Sequence, residues 1–133
     1  MRTHHELTER LKAYGDAEYV WTPYGSIAWH LSTGENIEAL FLEAKPGYGR
    51  WMYRQMVEAI REDGGEPYHS VFAFRLTSNQ NAKNFYAKMG WTQVDLGRSI
   101  YAGDETTLMW TTWDQLCDYV DHHGDPPLNT EHP

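Results

Sequence analysis

The sequence predicts a single α/β domain built on a mixed β-sheet. The chain has 133 residues, which fits one domain and leaves little room for a second. Hydrophobic residues make up 41% of it, enough for one core. Strand-like and helix-like patterns also alternate through the middle of the chain, as in α/β domains. We expect the domain to span residues 1–121, followed by a flexible, polar C-terminal tail at 122–133.

The first third of the chain predicts one helix and two strands. A helix is expected where apolar residues recur at helical spacing before Gly15, namely Leu7, Leu11 and Tyr14. Residues 19–22 form a short β-prone run. Apolar side chains then alternate with small or polar ones over residues 26–32, which predicts a strand with one buried face.

The remaining patterns predict the centre of the sheet and three further helices. Residues 37–44 are almost continuously apolar, which predicts a central strand covered on both faces. The segment 52–63 is helical in its spacing and 68–76 is typical of a strand. The polar run Thr77-Ser78-Asn79 can then cap a helix that ends before Gly90. Two more strands are expected at 91–96 and 106–112, and a last helix at 113–120.

Charge and composition narrow the partners of the protein. Eleven Lys and Arg against nineteen Asp and Glu give a net charge of -8, which disfavours nucleic acid. The longest apolar run, residues 39–42, is too short to cross a bilayer, so no membrane partner is expected.

The start of the chain lacks a signal-peptide core and Cys117 is the lone cysteine, so we expect a cytoplasmic protein. The His residues lack partners at ligand spacing, so no metal site is predicted.

A glycine turn, Gly47-Tyr48-Gly49, stands between the central strand and the next helix. Glycines let the backbone turn tightly, and the free N–H groups at the start of a helix attract phosphate. Such a turn is more often a plain strand-to-helix connection. It matches neither the dinucleotide-binding pattern nor a P-loop, so its function depends on a second motif.

The second motif is N-x-x-A-x-x-F-Y-x-x-x-G-W over residues 79–91. With this motif after the glycine turn, the sequence resembles the GNAT superfamily of N-acyltransferases, with Trp91 where Phe is usual. The resemblance covers about residues 37–112. It implies a GNAT-like, mostly antiparallel mixed sheet whose central parallel strand pair splays apart, flanked by helices, with a shortened N-terminal part.

The resemblance also implies acetyl-CoA as the acyl-donor cosubstrate. Its pyrophosphate would lie on the backbone amides of the glycine turn, and its pantetheine arm would pair with the central strand near its end. The residues that the resemblance places at the cofactor are Phe41, Leu42, Gly47, Tyr48, Gly49, Arg50, Asn79 and Phe85.

Two side chains are candidates for proton transfer. By the resemblance, Tyr86 donates a proton to the departing thiolate, and a phenol with a pKa of about 10 is protonated at neutral pH. An ammonium acceptor needs a base, for which Glu43 is the first candidate, with Glu38 and His30 as alternatives. Backbone N–H groups near Phe41 and Leu42 would stabilise the oxyanion.

These observations predict an N-acyltransferase that moves an acetyl group directly from acetyl-CoA to an amine. The negative charge favours a small amine or a basic peptide as the acceptor. Homodimers are common in the family, so a homodimer is a further expectation. The alternative is a non-catalytic GNAT-fold binding or regulatory protein with an acidic partner-facing surface. Its motivation is Ala44, which stands where the loop motif usually begins with Gln or Arg, together with the short N-terminal part.

Overall fold

The computed structural model describes residues 1–31, 36–63, 72–98 and 105–127. Four α-helices are present: α1 His4–Leu11, α2 Gly49–Glu62, α3 Gln80–Lys88 and α4 Trp113–His123. The six strands are β1 Glu18–Thr22, β2 Gly25–Leu31, β3 Ile37–Ala44, β4 Phe72–Thr77, β5 Thr92–Arg98 and β6 Glu105–Thr112. The first residues of the strand predicted at 68–76 lie outside the described residues.

The strands form one mixed sheet in the order β1-β2-β3-β4-β6-β5. Neighbouring strands are antiparallel except for the central pair, β3 and β4, which is parallel. The register of this pair joins Ile37 to Ala73 and Glu38 to Phe74, and the strands part beyond it. The prediction of a mostly antiparallel sheet with a splayed central pair is therefore confirmed.

Helices cover both faces of the first half of the sheet. Leu7 and Leu11 of α1 pack with Ala28 on one face, whereas α2 and α4 pack on the other with Ile27 and Trp29. Ala28 and Ile27 are each 0% exposed, so β2 is buried on both sides. The prediction of a single buried face for this strand is wrong, because α1 covers the second face.

A β-bulge interrupts β3 at Leu40. Trp29 of β2 lies opposite Ala39 and Ala28 lies opposite Phe41, so Leu40 is an extra residue in the ladder. The bulge changes which positions face the helices. Before it, Ala39 packs in the main core, and after it Leu42 does so.

The C-terminal helix begins with a capping box and ends later than predicted. The Thr112 side chain accepts a hydrogen bond from Gln115 N, and Gln115 reaches back to the Thr112 backbone. The helix continues to His123, so the expected boundary at residue 122 falls inside α4. Beyond it, Asp125 pairs with Arg54 of α2 at 2.6 Å. Residues 128–133 of the expected tail lie outside the described residues.

Two short helical elements precede the sheet in the described residues. One capped helix and a 3-10 turn over Lys12–Tyr14 precede β1. Across the described ranges, none of the helices combines the length and the apolar character needed to cross a membrane.

Candidate functional site

The parting of β3 and β4 creates a wedge between the two strands, which we call the V. It opens beyond the Glu38–Phe74 pair, towards the ends of both strands. The side chain of Arg75, on β4, lies at its closed end. Arg75 Nη1 donates to the carbonyl oxygen of Ala39 at 3.0 Å and also to that of Leu40.

The bulge in β3 explains why one guanidinium reaches two successive carbonyls. In a regular strand successive carbonyls point to opposite edges, but a bulge disrupts this alternation. The carbonyls of Ala39 and Leu40 therefore lie together, at the place where β4 has moved away. Arg75 supplies the hydrogen bonds that the ladder no longer provides.

Two buried tyrosines meet in the core beside the V. The hydroxyl oxygens of Tyr53 on α2 and Tyr86 on α3 are 2.6 Å apart. The two side chains are 0% and 2% exposed, respectively. Phe85 and Trp91 pack against Tyr86, with ring centroids 5.2 and 4.7 Å away.

The two phenols differ in how firmly they hold their protons. Burial raises the pKa of Tyr53 well above 10, and the nearby Tyr86 and their hydrogen bond raise it further. Burial also raises the pKa of Tyr86, but there the hydrogen bond with Tyr53 acts in the opposite direction. Either hydroxyl can be the donor of the hydrogen bond between them. The positive charge of Arg75 lowers the pKa of both phenols, which links the pair to the V.

The two glycines of the turn each have a close neighbour. Gly47 has a φ of 86°, in the left-handed region that side chains rarely adopt. A Cβ atom on Gly47 would lie 2.8 Å from Pro127 Cγ, and one on Gly49 would lie 2.7 Å from the Phe85 ring. Phe85 thus packs α3 against the start of α2, and the segment after α4 covers the turn.

The N-terminus of α2 differs from the other helix starts. Thr3, Asn79 and Thr112 cap the other three α-helices through their side chains. Tyr48 stands at the N-cap of α2 without a side-chain hydrogen bond, and the first turn contains no acidic residue. Within the described part of the chain, this helix therefore presents its positive end without a protein anion.

Cations and aromatic rings surround this helix start. Arg50 is exposed in the first turn of α2. Lys45 Nζ lies 5.6 Å from the centroid of the Tyr24 ring. Tyr48 stacks on Tyr24 with centroids 4.8 Å apart, and Trp51 meets Tyr48 edge-on. Trp51 thus packs beside the turn against Tyr48 and Tyr24.

Asn79 is the N-cap of α3. Its side-chain oxygen accepts a hydrogen bond from Ala82 N at 3.0 Å. The Asn79 side chain therefore caps the helix through its oxygen, and its amide nitrogen is a further donor for the predicted cofactor contact.

The candidate bases on β3 have different partners. Glu43 accepts hydrogen bonds on both oxygens from Arg2, from its backbone N at 2.7 Å and from its guanidinium. Glu38 Oε1 lies 2.7 Å from His30 Nε2. The other ring nitrogen of His30 faces Asp16 Oδ1 at 3.7 Å. Asp16, His30 and Glu38 thus form a chain of titratable groups.

Phe41 turns its side chain towards α1. Its ring lies beneath Arg10, whose guanidinium carbon is 4.6 Å from the centroid, and Tyr14 meets it edge-on. Phe41 and Glu43 share this face of β3, whereas Leu42 packs in the main core. The part of Phe41 that can contribute to the V is therefore its backbone.

The structure brings some predicted groups together and separates others. The end of β3, the glycine turn and Phe85 lie next to one another. Glu43, by contrast, has its side chain on the face of β3 that α1 covers. Sequence reasoning did not single out Arg75, whose side chain lies at the V. Its signal was a charged residue two positions after the buried Ala73, because alternate residues of a strand share a face.

A second concave region lies away from the V. It is a cleft of about 410 Å³ between the end of α3 and α4. Its lining residues are Met89, Gly90, Thr111, Gln115, Asp118, Tyr119, His122 and His123. Of the residues that are described, no three His, Cys, Asp or Glu side chains come together as a metal site would require.

Comparisons with known proteins identify the fold. No family model and no curated protein matches the sequence. A Desulfovibrio desulfuricans protein assigned as a GNAT-family acetyltransferase superimposes with a TM-score of 0.58 at 16% identity, over 80% of this chain and 77% of its own. An Agrobacterium tumefaciens protein assigned as an acetyltransferase superimposes with a TM-score of 0.51 at 17% identity. The match covers 83% of this chain and 87% of that chain.

A Bacillus subtilis acetyltransferase solved in complex with CoA is also similar. Its TM-score is 0.52 at 11% identity, with 82% of this chain and 84% of that chain covered. At such low identities the likeness concerns architecture. The chain has the GNAT fold, which confirms the fold that the two sequence motifs predict.

Proposed function

We propose that the protein is an N-acyltransferase that moves an acyl group, acetyl in the simplest case, directly from a CoA thioester to an amine. The observation that carries this proposal is the junction of the V with the start of α2. β3 ends at Ala44 and α2 begins at Gly49, so residues 45–48 join a splayed strand edge to a helix start without a side-chain cap.

The residues at this junction suit the parts of CoA. The first turn of α2 offers backbone N–H groups and the positive end of the helix to a pyrophosphate, with Arg50 alongside. The edge of β3 beyond Leu40 offers backbone groups to the amides of the pantetheine arm. When bound, acyl-CoA would supply a thioester carbonyl that an amine can attack, with CoA as the leaving thiolate.

Tyr86 is the proton donor in this proposal. Its raised pKa keeps the phenol protonated at neutral pH, and if Tyr53 donates in the hydrogen bond between them, the proton of Tyr86 is free for transfer. The Tyr86 side chain is 2% exposed, so in this proposal the departing thiolate has to reach a buried hydroxyl.

For the base, the contacts favour Glu38 over Glu43. Both oxygens of Glu43 already accept hydrogen bonds from Arg2, which makes Glu43 a structural partner of the N-terminus. Glu38 precedes Ala39, whose carbonyl lies in the V, and its side chain contacts His30 on the same face of β3 as Phe41 and Glu43. A proton taken by Glu38 can be shared with His30, which faces Asp16.

The acceptor in this proposal is a small amine or a basic peptide. The net charge of -8 attracts cations over distances of several ångströms. A cationic amine also carries the proton that a carboxylate base has to remove before transfer.

Calorimetry with acetyl-CoA, followed by turnover assays over a panel of polyamines and lysine peptides, tests the proposal. We expect micromolar binding and release of free CoA with at least one amine. Glu38→Gln should abolish turnover while Glu43→Gln should retain it, with acetyl-CoA binding unchanged in both. Absence of acetyl-CoA binding to the wild-type protein would overturn the proposal.

A second candidate function is a non-catalytic CoA-binding protein. The observations that favour it are the enclosure of the Tyr86 hydroxyl by Tyr53 and the guanidinium of Arg75 in the V. Acetyl-CoA binding without turnover across the amine panel would support this candidate against the first.

A further inference from the structure

Arg75 carries a positive charge that the described protein does not neutralise. One nitrogen, Nη1, donates to the carbonyls of Ala39 and Leu40. Among the residues that the structure describes, no carboxylate lies within 4.0 Å of the guanidinium, and Nε and Nη2 have no acceptor. The side chain is half-buried, so water solvates the charge only in part.

A half-buried cation without a counter-ion is costly, because carbonyl dipoles compensate a full charge poorly. The chain has nineteen acidic residues against eleven Lys and Arg, so carboxylates are abundant. The two acidic side chains of β3 have other partners, Glu38 with His30 and Glu43 with Arg2. The location of Arg75 therefore favours an anion that comes from a ligand.

The guanidinium nitrogens of Arg75 that do not contact β3 suit one kind of anion. Nε and Nη2 form a planar fork that matches the two oxygens of a carboxylate. The fork lies at the closed end of the V, next to the last parallel pair, Glu38 and Phe74. A ligand anchored by its phosphates at α2 and extended along β3 would bring its far end to Arg75.

We propose that Arg75 binds a carboxylate at the end of the acyl group, so that the preferred donor is the CoA thioester of a dicarboxylic acid. This inference rests on the proposed acyl-CoA function and deepens it by naming the substrate class. The bonds formed and broken in acyl transfer are unchanged, since the carboxylate serves for recognition.

The test compares succinyl-CoA with butyryl-CoA, which has the same chain length without the terminal carboxylate. Calorimetry on the wild-type protein should give succinyl-CoA an affinity about tenfold or more above that of butyryl-CoA. In Arg75→Gln this preference should disappear, while the affinity for free CoA should change by less than about threefold. Lys88→Gln, which removes one exposed charge at the end of α3, is the matched control and should keep the preference.

The outcomes separate this inference from the proposed function. Equal binding of the two thioesters by the wild-type protein, or a preference that survives Arg75→Gln, overturns the carboxylate site while CoA binding stands. Loss of all CoA binding overturns both proposals. Thermal melting checks that Arg75→Gln folds. If it does not fold, Arg75→Lys replaces it, and an unchanged preference in that variant counts against the planar fork.

Discussion

Removing the hydroxyl of Tyr86 should expose two separate roles of the buried tyrosine pair. The two hydroxyl oxygens are 2.6 Å apart, and both side chains are almost completely buried. Tyr86→Phe leaves the Tyr53 hydroxyl without its partner, away from water. A buried polar group that loses its hydrogen bond costs about 1–3 kcal/mol, so we expect a loss of that size in the free energy of unfolding.

The double replacement makes the prediction quantitative. Tyr53→Phe should cost about as much as Tyr86→Phe, whereas the double variant leaves neither hydroxyl to satisfy. The double variant should therefore lose about 0.5–3 kcal/mol less unfolding free energy than the sum of the losses in the two single variants. Urea unfolding of all four proteins measures these terms. Additive losses would show that the two hydroxyls are not coupled and would refute the geometry described above.

Activity separates the two tyrosines where stability does not. If Tyr86 donates the proton, Tyr86→Phe should lower turnover by roughly 10²- to 10⁴-fold. Tyr53→Phe keeps the donor and should retain most of the turnover despite a similar loss of stability. The measurement is release of free CoA at saturating acetyl-CoA with an identified amine. Wild-type turnover in Tyr86→Phe would refute the role of Tyr86 as the acid.

Three further predictions concern stability. Gly47→Ala should lower the free energy of unfolding by about 1–2 kcal/mol or more, because of the positive φ and the contact with Pro127, and an unchanged urea midpoint would contradict this. Thr112→Ala should cost about 1 kcal/mol through loss of the α4 cap, and Thr112→Ser should restore it. Hydrogen bonds from Arg61 lower the pKa of Asp121 from 3.8, so this pair stabilises the fold above that pH and loses its effect as the pH falls through the folded-state value. Asp121→Asn should flatten acid unfolding monitored by circular dichroism, and an unaltered acid profile would count against the pair.

The order of the elements could be predicted from the sequence because it depends on local patterns, whereas the splayed central pair was implied by the family resemblance. The continuous apolar run at 37–44 predicted a central strand, and it is the third of six. The glycine turn and Asn79 also lie where their spacing predicts, at the starts of α2 and α3. These features can be recognised in the sequence without knowing which distant residues contact each other.

Features that depend on how elements dock could not be predicted in this way. The burial of both faces of β2 arises from α1, which the sequence does not place on either side of the sheet. The partner of Tyr86 depends on the packing of α2 against α3, 33 residues apart in the chain. Similarly, Glu43 was the first candidate base from its closeness to the glycine turn, but its pairing with Arg2 depends on where the N-terminus lies.

The bulge at Leu40 implies that β3 can lose one residue without rearranging its neighbours. Excising Leu40 would restore strict alternation, so Ala39 and Leu42 would still face the helices and Phe41 would still face α1. Arg75 would lose one of its two carbonyl acceptors. Deleting this one residue therefore keeps the architecture of the sheet and changes only the V. Substituting a side chain cannot do this, because it leaves the number of backbone carbonyls in β3 unchanged.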